Sequence, residues 1–97
     1  MLLLRIVKVK GEVLVTVCDK ELLGKTFKRR GMRLEVKREF YCGREASLTE
    51  CMRAIKNATI ANLVGSVVEH AVKAGLIRRD CILYFQGVPH AQLVRML

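Results

Sequence analysis

The chain has 97 residues, of which 52% are hydrophobic and 5% aromatic, and its net charge is +9. This length allows one hydrophobic core and the apolar share excludes a disordered tail, so we predict a single globular domain over residues 1–97. The longest charge-free run, 81–94, is too short to cross a membrane, because a spanning helix needs about 20 apolar residues. Arg5 and Lys8 follow the short apolar start at once, which argues against a signal peptide and favours a cytoplasmic protein.

Three strands are predicted in the first half of the chain. Residues 2–9 and 13–18 are rich in β-branched side chains, and the KGE between them predicts a β-hairpin whose second strand has its valines on one face. A short helical turn that ends at Gly24 follows. The next run alternates apolar and charged residues, which predicts a half-buried third strand with a cationic outer face. Its apolar positions are Met32, Leu34 and Val36.

Two consecutive helices are predicted in the second half. Ser47 and Glu50 match a capping box, so a first helix begins there and ends near 57–59. From Ile60 to Ala71 the apolar residues recur with helical spacing, which predicts a second helix that ends at Gly75. Within that helix, Ala61 and Gly65 would form a smooth patch against which another backbone could pack.

The C-terminal segment predicts two more strands. Residues 81–85 form one, "QGVPHA" at 86–91 is a connection, and 92–96 form the last strand. The element order is then β-β-β-α-α-β-β. This order predicts an α+β fold in which two helices pack on one face of a mostly antiparallel sheet.

Three sequence blocks resemble a known family. They are "LLGKTF" at 22–27, "ATIANLVG" at 58–65 and "GVPHAQLVRM" at 87–96. Together with the length, they resemble an archaeal family of small conserved proteins, domain of unknown function 424. The resemblance implies an archaeal, cytoplasmic, single-domain protein, and the tendency of members to lie among translation genes favours an RNA-linked role. Because the family has no established activity or active site, the resemblance assigns no functional residue.

The cysteine pattern gives no indication of a metal site. Cys18, Cys42, Cys51 and Cys81 include no CxxC pair, the short spacing with which zinc sites aim two thiolates at one ion. We therefore predict no metal and no cofactor. Cys51 and Cys81 are interpreted as small core residues, and the redox state of all four cysteines stays open.

The most informative segment is "KTFKRRGMRLEVKR" at 25–38, called here the basic block. It holds seven cations against a single acid, Glu35. Such a block predicts contact with a polyanion, and the neighbouring Phe40 and Tyr41 could stack on an unpaired base. The alternative is a solvated strand face whose charges prevent edge-to-edge pairing. The predicted nucleic-acid-binding residues are Lys25, Lys28, Arg29, Arg30, Arg33, Lys37 and Arg38.

A second candidate site is the "GVPHAQ" connection. Its proline would present His90 in a defined direction, with Gln92 on the same strand face, and Asn62 could hydrogen-bond the loop. His90 could then act as a general base or contact RNA. The alternative is a histidine that only locks the loop, and without a nucleophile or carboxylate partner at a recognisable spacing it is weak evidence for catalysis.

Three functions follow from these features. We expect a non-enzymatic protein that binds RNA, either ribosomal or transfer RNA, or associates with ribosomal or translation proteins. The alternatives are a small enzyme that uses His90 and a protein-interaction module that uses the Ala61–Gly65 patch or the edge strand 2–9. The sequence leaves the identity of the RNA and the oligomeric state open.

Overall fold

Within residues 1–95, the fold comprises eight strands and three helices. The computed structural model describes residues 1–95. Short 3₁₀ turns at Lys20–Leu22 and Arg79–Cys81 follow the second strand and precede the seventh. The elements in chain order are β1 (Leu2–Val9), β2 (Glu12–Asp19), β3 (Thr26–Arg29), β4 (Met32–Glu35), α1 (Arg38–Tyr41), β5 (Arg44–Ala46), α2 (Leu48–Lys56), β6 (Ile60–Val64), α3 (Val67–Lys73), β7 (Leu83–Phe85) and β8 (Val88–Val94).

Six of the strands form one sheet in the order β5-β1-β2-β6-β8-β7, and β3 and β4 form a separate two-stranded sheet. The neighbours in the large sheet are antiparallel except for β2 and β6, which run parallel. The predicted α+β class with a mostly antiparallel sheet is therefore confirmed. No helix within residues 1–95 has the length and apolar character that spanning a membrane requires.

The three antiparallel hairpins all close through a two-residue turn of the same type. The turns are Lys10-Gly11, Arg30-Gly31 and Gln86-Gly87, and both residues of each turn have positive φ. Two successive positive φ angles give the type I′ geometry whose twist matches that of the flanking strands. A two-residue loop also fixes the register, so each turn determines which side chains of its hairpin face the core.

The two faces of the large sheet are covered differently. Helices α2 and α3 pack on one face, where their buried side chains meet those of the central strands in the larger core cluster. On the other face, the β3–β4 hairpin and α1 cover only one end of the sheet, around Leu3, Cys18 and Val64. We call the rest of this second face the open face. The prediction of two helices packed on one face is thus confirmed, with the short α1 in addition.

The predicted second helix is wrong over its first turn and a half. Residues 60–64 form strand β6, and α3 begins only at Val67. Strand β6 lies in the middle of the sheet and is paired along both edges. Both of its faces carry mainly apolar side chains. Such a continuous apolar run satisfies helical spacing as readily as strand spacing. Ala61 and Gly65 are both buried, so the smooth patch suggested for protein interaction lies inside the fold.

Gly65 connects β6 to α3 through a left-handed residue. Its φ is +93°, and an added Cβ would collide with the carboxylate of Asp19 and lie 2.9 Å from Leu22 Cδ1. Asp19 Oδ2 accepts a hydrogen bond from Ser66 N at 2.8 Å, and Ser66 Oγ donates to Oδ1. The acidic side chain at the end of β2 thereby fixes the start of α3.

Several boundaries differ from prediction. The region of the predicted third strand contains a complete hairpin, because Thr26–Arg29 pairs with Met32–Glu35. The "VPH" of the predicted connection belongs to β8, which ends at Val94, whereas Met96 of the predicted last strand lies outside the described residues. Cys51 is buried as predicted, but Cys81 is exposed in a 3₁₀ turn.

Candidate functional site

A row of polar side chains crosses the open face. Arg5 lies opposite Thr16, Thr16 lies beside Asn62, and Asn62 lies opposite Gln92, so one polar residue comes from each of four adjacent strands. With neighbouring strands about 4.8 Å apart, this polar row is about 14 Å long. On the same face, the next row of residues, on the side away from the β3–β4 hairpin, is entirely apolar. It consists of Val7, Leu14, Ile60 and Val94.

Two adjoining cavities lie above the polar row. The larger has a volume of about 430 Å³ and the smaller about 310 Å³, and both are lined by Thr16, Phe40 and Asn62. We call the larger cavity the cleft. Its floor is the parallel pair of β2 and β6, and its wall is the segment from β4 to α1. The residues on that wall are Arg33, Leu34, Glu35, Lys37, Phe40 and Tyr41.

Hydrogen bonds from the polar row hold α1 over the sheet. Thr16 Oγ1 donates to the carbonyl oxygen of Phe40 at 2.9 Å, and Arg5 Nη1 lies 3.5 Å from the same oxygen. The Phe40 ring itself is 56% exposed. The Tyr41 side chain, in contrast, is buried against the sheet, and burial raises its pKa to about 12. The two neighbouring aromatic residues therefore differ, since Tyr41 fastens α1 and Phe40 is left available for contact.

Asn62 presents an unused amide to the cleft. Its side chain is half-buried and makes no hydrogen bond to any side chain or backbone group of residues 1–95. Gln92, its register partner on β8, is exposed beside it. Asn62 and Gln92 therefore lie side by side on the sheet and not around a loop, and Asn62 makes no hydrogen bond to the 86–91 segment.

The basic block folds into the β3–β4 hairpin and the start of α1. On the outer face of the hairpin, Lys28 is directly opposite Arg33, an arrangement of like charges that destabilises a strand pair. Arg33 forms an ion pair with Glu35 at 3.2 Å. Among residues 1–95, the other six cations of the block have no acidic partner.

The hairpin is attached to the edge of the large sheet at β7. Lys28 N donates to Gln86 Oε1 at 2.8 Å, and Arg29 Nη1 donates to the carbonyl oxygen of Tyr84 at 3.4 Å. Arg29 is therefore half-buried and has a structural contact, whereas Arg30 is exposed at the turn. Arg33 and Lys37 line the cleft, and the other predicted cations lie outside its lining.

His90 lies within β8 and not in a loop. Its ring meets that of Phe85 edge-on, with centroids 6.2 Å apart and an interplanar angle of 79°. Burial disfavours the charged imidazolium and lowers the pKa of His90. His90 is not in the lining of the cleft or of three further cavities formed by the described residues. Nothing in this packing supports the alternative of an enzyme centred on His90.

The polar row includes two residues that the sequence did not single out, Arg5 and Thr16. Each interrupts a strand face that is otherwise apolar, since Arg5 lies between Leu3 and Val7, and Thr16 between Leu14 and Cys18. Asn62 interrupts β6 in the same way. A polar residue on an otherwise apolar strand face could have been recognised in the sequence as a candidate site residue. Only the strand order shows that these residues form one row. Within residues 1–95 no group of three or more acidic, histidine or cysteine side chains could hold a metal.

The family model described as "Protein of unknown function (DUF424)" matches residues 7–96. The chain belongs to the DUF424 family. It is also similar to a crystal structure of an uncharacterized conserved protein from Methanopyrus kandleri, with a TM-score of 0.77 and 30% sequence identity over 99% of this chain and 95% of that chain. No curated protein matches the sequence significantly.

The predicted resemblance is thus confirmed at the level of the DUF424 family and its archaeal structural relative. All eight residues that line the cleft fall within the part of the chain that matches the DUF424 model. The floor and the wall of the cleft therefore belong to the family's domain and are not an addition outside it.

Proposed function

We propose that this DUF424 protein is a non-enzymatic, cytoplasmic RNA-binding protein whose primary contact surface is the β3–β4 hairpin. The observation behind this proposal is the charge of the hairpin. Like charges face each other across the strand pair, and six of the seven cations have no acidic partner within residues 1–95. This self-repulsion destabilises the folded state, and a polyanion that neutralises the charges would relieve it.

Outside the block, four of the eleven cations have an acidic partner within residues 1–95, against one of the seven inside it. Arg79 is held by Glu69 at 2.7 Å, Arg44 by Glu50 at 2.9 Å, and Lys20 by Glu45 at 2.7 Å. Because the six unpaired cations of the block lie within 14 residues, the density of unpaired charge along the chain is highest there. The phosphate backbone of RNA is the polyanion that fits it, with arginine offering forked donors and lysine a mobile point charge.

Salt dependence of RNA binding tests the proposal. If about five cations contact phosphates of a single strand, the logarithm of the affinity should fall with the logarithm of salt concentration with a slope near −3.5. Fluorescence anisotropy with labelled RNA over a salt series measures this slope. A flat salt dependence would contradict the proposal.

A pair of double variants tests the location. Lys28→Gln with Arg30→Asn removes two exposed hairpin charges, and asparagine tolerates the φ of 45° at position 30. We expect this variant to lower the magnitude of the slope by about 1.4, or 0.7 per lost phosphate contact. The matched control is Lys56→Gln with Lys73→Gln, which removes the same charge from the helix-covered face. Equal losses in the two variants would show attraction by net charge alone.

Co-sedimentation identifies the class of RNA. We propose ribosomal or transfer RNA, with ribosomal or translation proteins as further partners. The protein in a lysate fractionated on a sucrose gradient should migrate with ribosomal subunits at low salt and leave them at high salt. Migration at the top of the gradient in both conditions would remove the ribosomal version and leave transfer RNA to be tested directly.

A further inference from the structure

Arg5 and Thr16 of the polar row hold α1 over the sheet, but Asn62 has no such role. The apolar row beside it and the apolar end under the hairpin show that this face favours hydrophobic side chains. Asn62 lies on the central strand β6 among apolar neighbours, and its amide lines the cleft with no protein partner within residues 1–95, open to water. A ligand in the cleft would find both groups of this amide free to form hydrogen bonds.

The surroundings of Asn62 define what such a ligand must be. On one side is the exposed Phe40, and on the rim are the cations Arg33 and Lys37 and the acid Glu35, which pairs with Arg33 at 3.2 Å, so the rim keeps a net charge of +1. The ligand must therefore combine a planar apolar face, hydrogen-bonding groups at its edge and a negative charge nearby. A cavity of about 430 Å³ is in the range of small-molecule sites and is large enough for one nucleotide.

We propose that the cleft takes one unpaired RNA base, stacked on Phe40 and hydrogen-bonded by Asn62, while Arg33 and Lys37 contact the flanking phosphates. This inference rests on the proposed RNA-binding function and adds that the RNA is single-stranded at this point. In a double helix the base faces are stacked and the deep major groove is closed to side chains, so a paired base cannot enter the cleft. In this proposal the hairpin holds the backbone, and Phe40 and Asn62 hold the base.

The amide of Asn62 sets the expected specificity. It offers one donor and one acceptor side by side, and the pairing edge of each RNA base has an adjacent donor and acceptor as well. Recognition is therefore expected to require an unpaired base but to discriminate weakly among the four bases.

A tryptophan reporter tests stacking directly. The chain contains no tryptophan, so Phe40→Trp introduces a single indole at the proposed stacking position. We expect oligoadenylate and oligouridylate of about twelve nucleotides, within the usual site sizes for single strands, to quench its fluorescence. A duplex of the same length is expected to bind through the hairpin without quenching.

Two matched pairs of variants test the contacts by anisotropy. Phe40→Ala should weaken single-strand binding by about 10-fold or more, the usual effect of losing one stacked base. Its control is Tyr84→Ala, which removes an equally exposed aromatic ring from outside the cleft. Asn62→Leu should likewise weaken single-strand binding, whereas Gln92→Leu removes the neighbouring amide, which does not line the cleft, and should have little effect. Circular dichroism verifies that each variant is folded.

The outcomes separate this inference from the proposed function. If the wild-type protein binds no RNA, both fail. If it binds single strands and duplexes equally, without quenching and without an effect of Phe40→Ala, the hairpin proposal stands and the base-binding cleft is wrong. Quenching by adenosine monophosphate with no binding of any oligonucleotide would assign the cleft to a free nucleotide and overturn both.

Discussion

Single residues decide the geometry of this molecule at two junctions. Gly43 is one of them, because a Cβ there would overlap the Leu4 carbonyl and lie 2.9 Å from Arg5 N where the chain enters β5. Gly65 is the other, and it combines a positive φ with close contacts. The sequence pattern places Gly65 inside the predicted second helix and gives no signal for Gly43, because the partner atoms of both are distant in the chain and only the folded structure identifies them.

We predict that Gly65→Ala lowers the free energy of unfolding by at least about 2 kcal/mol, because the new methyl group meets Asp19 and Leu22 in a left-handed conformation. Gly75→Ala is the matched control. Its φ of +75° is similar but no atom lies within 4 Å, so only the backbone cost of about 1 kcal/mol applies. Urea unfolding of the two variants measures the difference, and equal losses would contradict a steric role for Asp19.

We predict that His90 makes the protein less stable as the pH is lowered. Because burial lowers its pKa below the ordinary value of 6.5, the unfolded chain takes up this proton before the folded chain does. The contribution is present above about pH 6.5 and is lost as the pH falls through the range below it. The measurement is the urea midpoint at about pH 7.5 and about pH 5.5, for the wild type and for His90→Gln, which should depend less on pH. An NMR titration midpoint of His90 at or above 6.5 would contradict the prediction.

At the scale of elements, local signals were reliable where they did not depend on the rest of the fold. The capping box of α2 is present in both directions, since Glu50 N donates to Ser47 Oγ at 3.1 Å and Ser47 N donates to Glu50 Oε1 at 3.2 Å. The β1–β2 hairpin was recognisable from its glycine turn, and its register follows from two residues. Strand β6 was not recognisable, because its type depends on its two neighbours in the sheet.

We predict that Ser47→Ala costs about 1 kcal/mol of stability, the usual effect of losing a helix N-cap. Thr49→Ala is the control, since Thr49 is an exposed residue in the first turn of α2 and makes no capping bond. Thermal or urea denaturation of both variants provides the comparison. Because alanine has a higher helix propensity than threonine, Thr49→Ala should not destabilise the protein, and a loss as large as with Ser47→Ala would contradict the role of the cap.

At the scale of the whole molecule, one sheet connects two core clusters. The larger lies under α2 and α3, and the smaller lies between the opposite face and the β3–β4 hairpin. Neighbouring residues of the same strands face opposite clusters, as with Val17 and Cys18 on β2 and Leu63 and Val64 on β6. Because both clusters pack against the same strands, unfolding of the sheet exposes both clusters at once.

We therefore predict a single cooperative unfolding transition. Of the two tyrosines, Tyr41 is buried in the smaller cluster and Tyr84 is exposed, so the change in tyrosine fluorescence on unfolding reports mainly on that cluster. Far-ultraviolet circular dichroism follows the secondary structure of the whole chain. The two urea curves should coincide, as they do for two-state domains. A fluorescence transition at lower urea than the dichroism transition would show that the hairpin face unfolds separately.

The sequence by itself determined the fold class, the capping box, the first hairpin and the cationic outer face of the second, because each depends on periodicity or on residues close together in the chain. It also supplied Asn62, Gln92 and Phe40 as candidates. Only the tertiary structure decided that β2 and β6 run parallel and adjacent, which places Thr16 beside Asn62. The physical reason is that strand order is set by burial of the whole sheet between its two covering layers, and no local pattern encodes which polar residues then share a row.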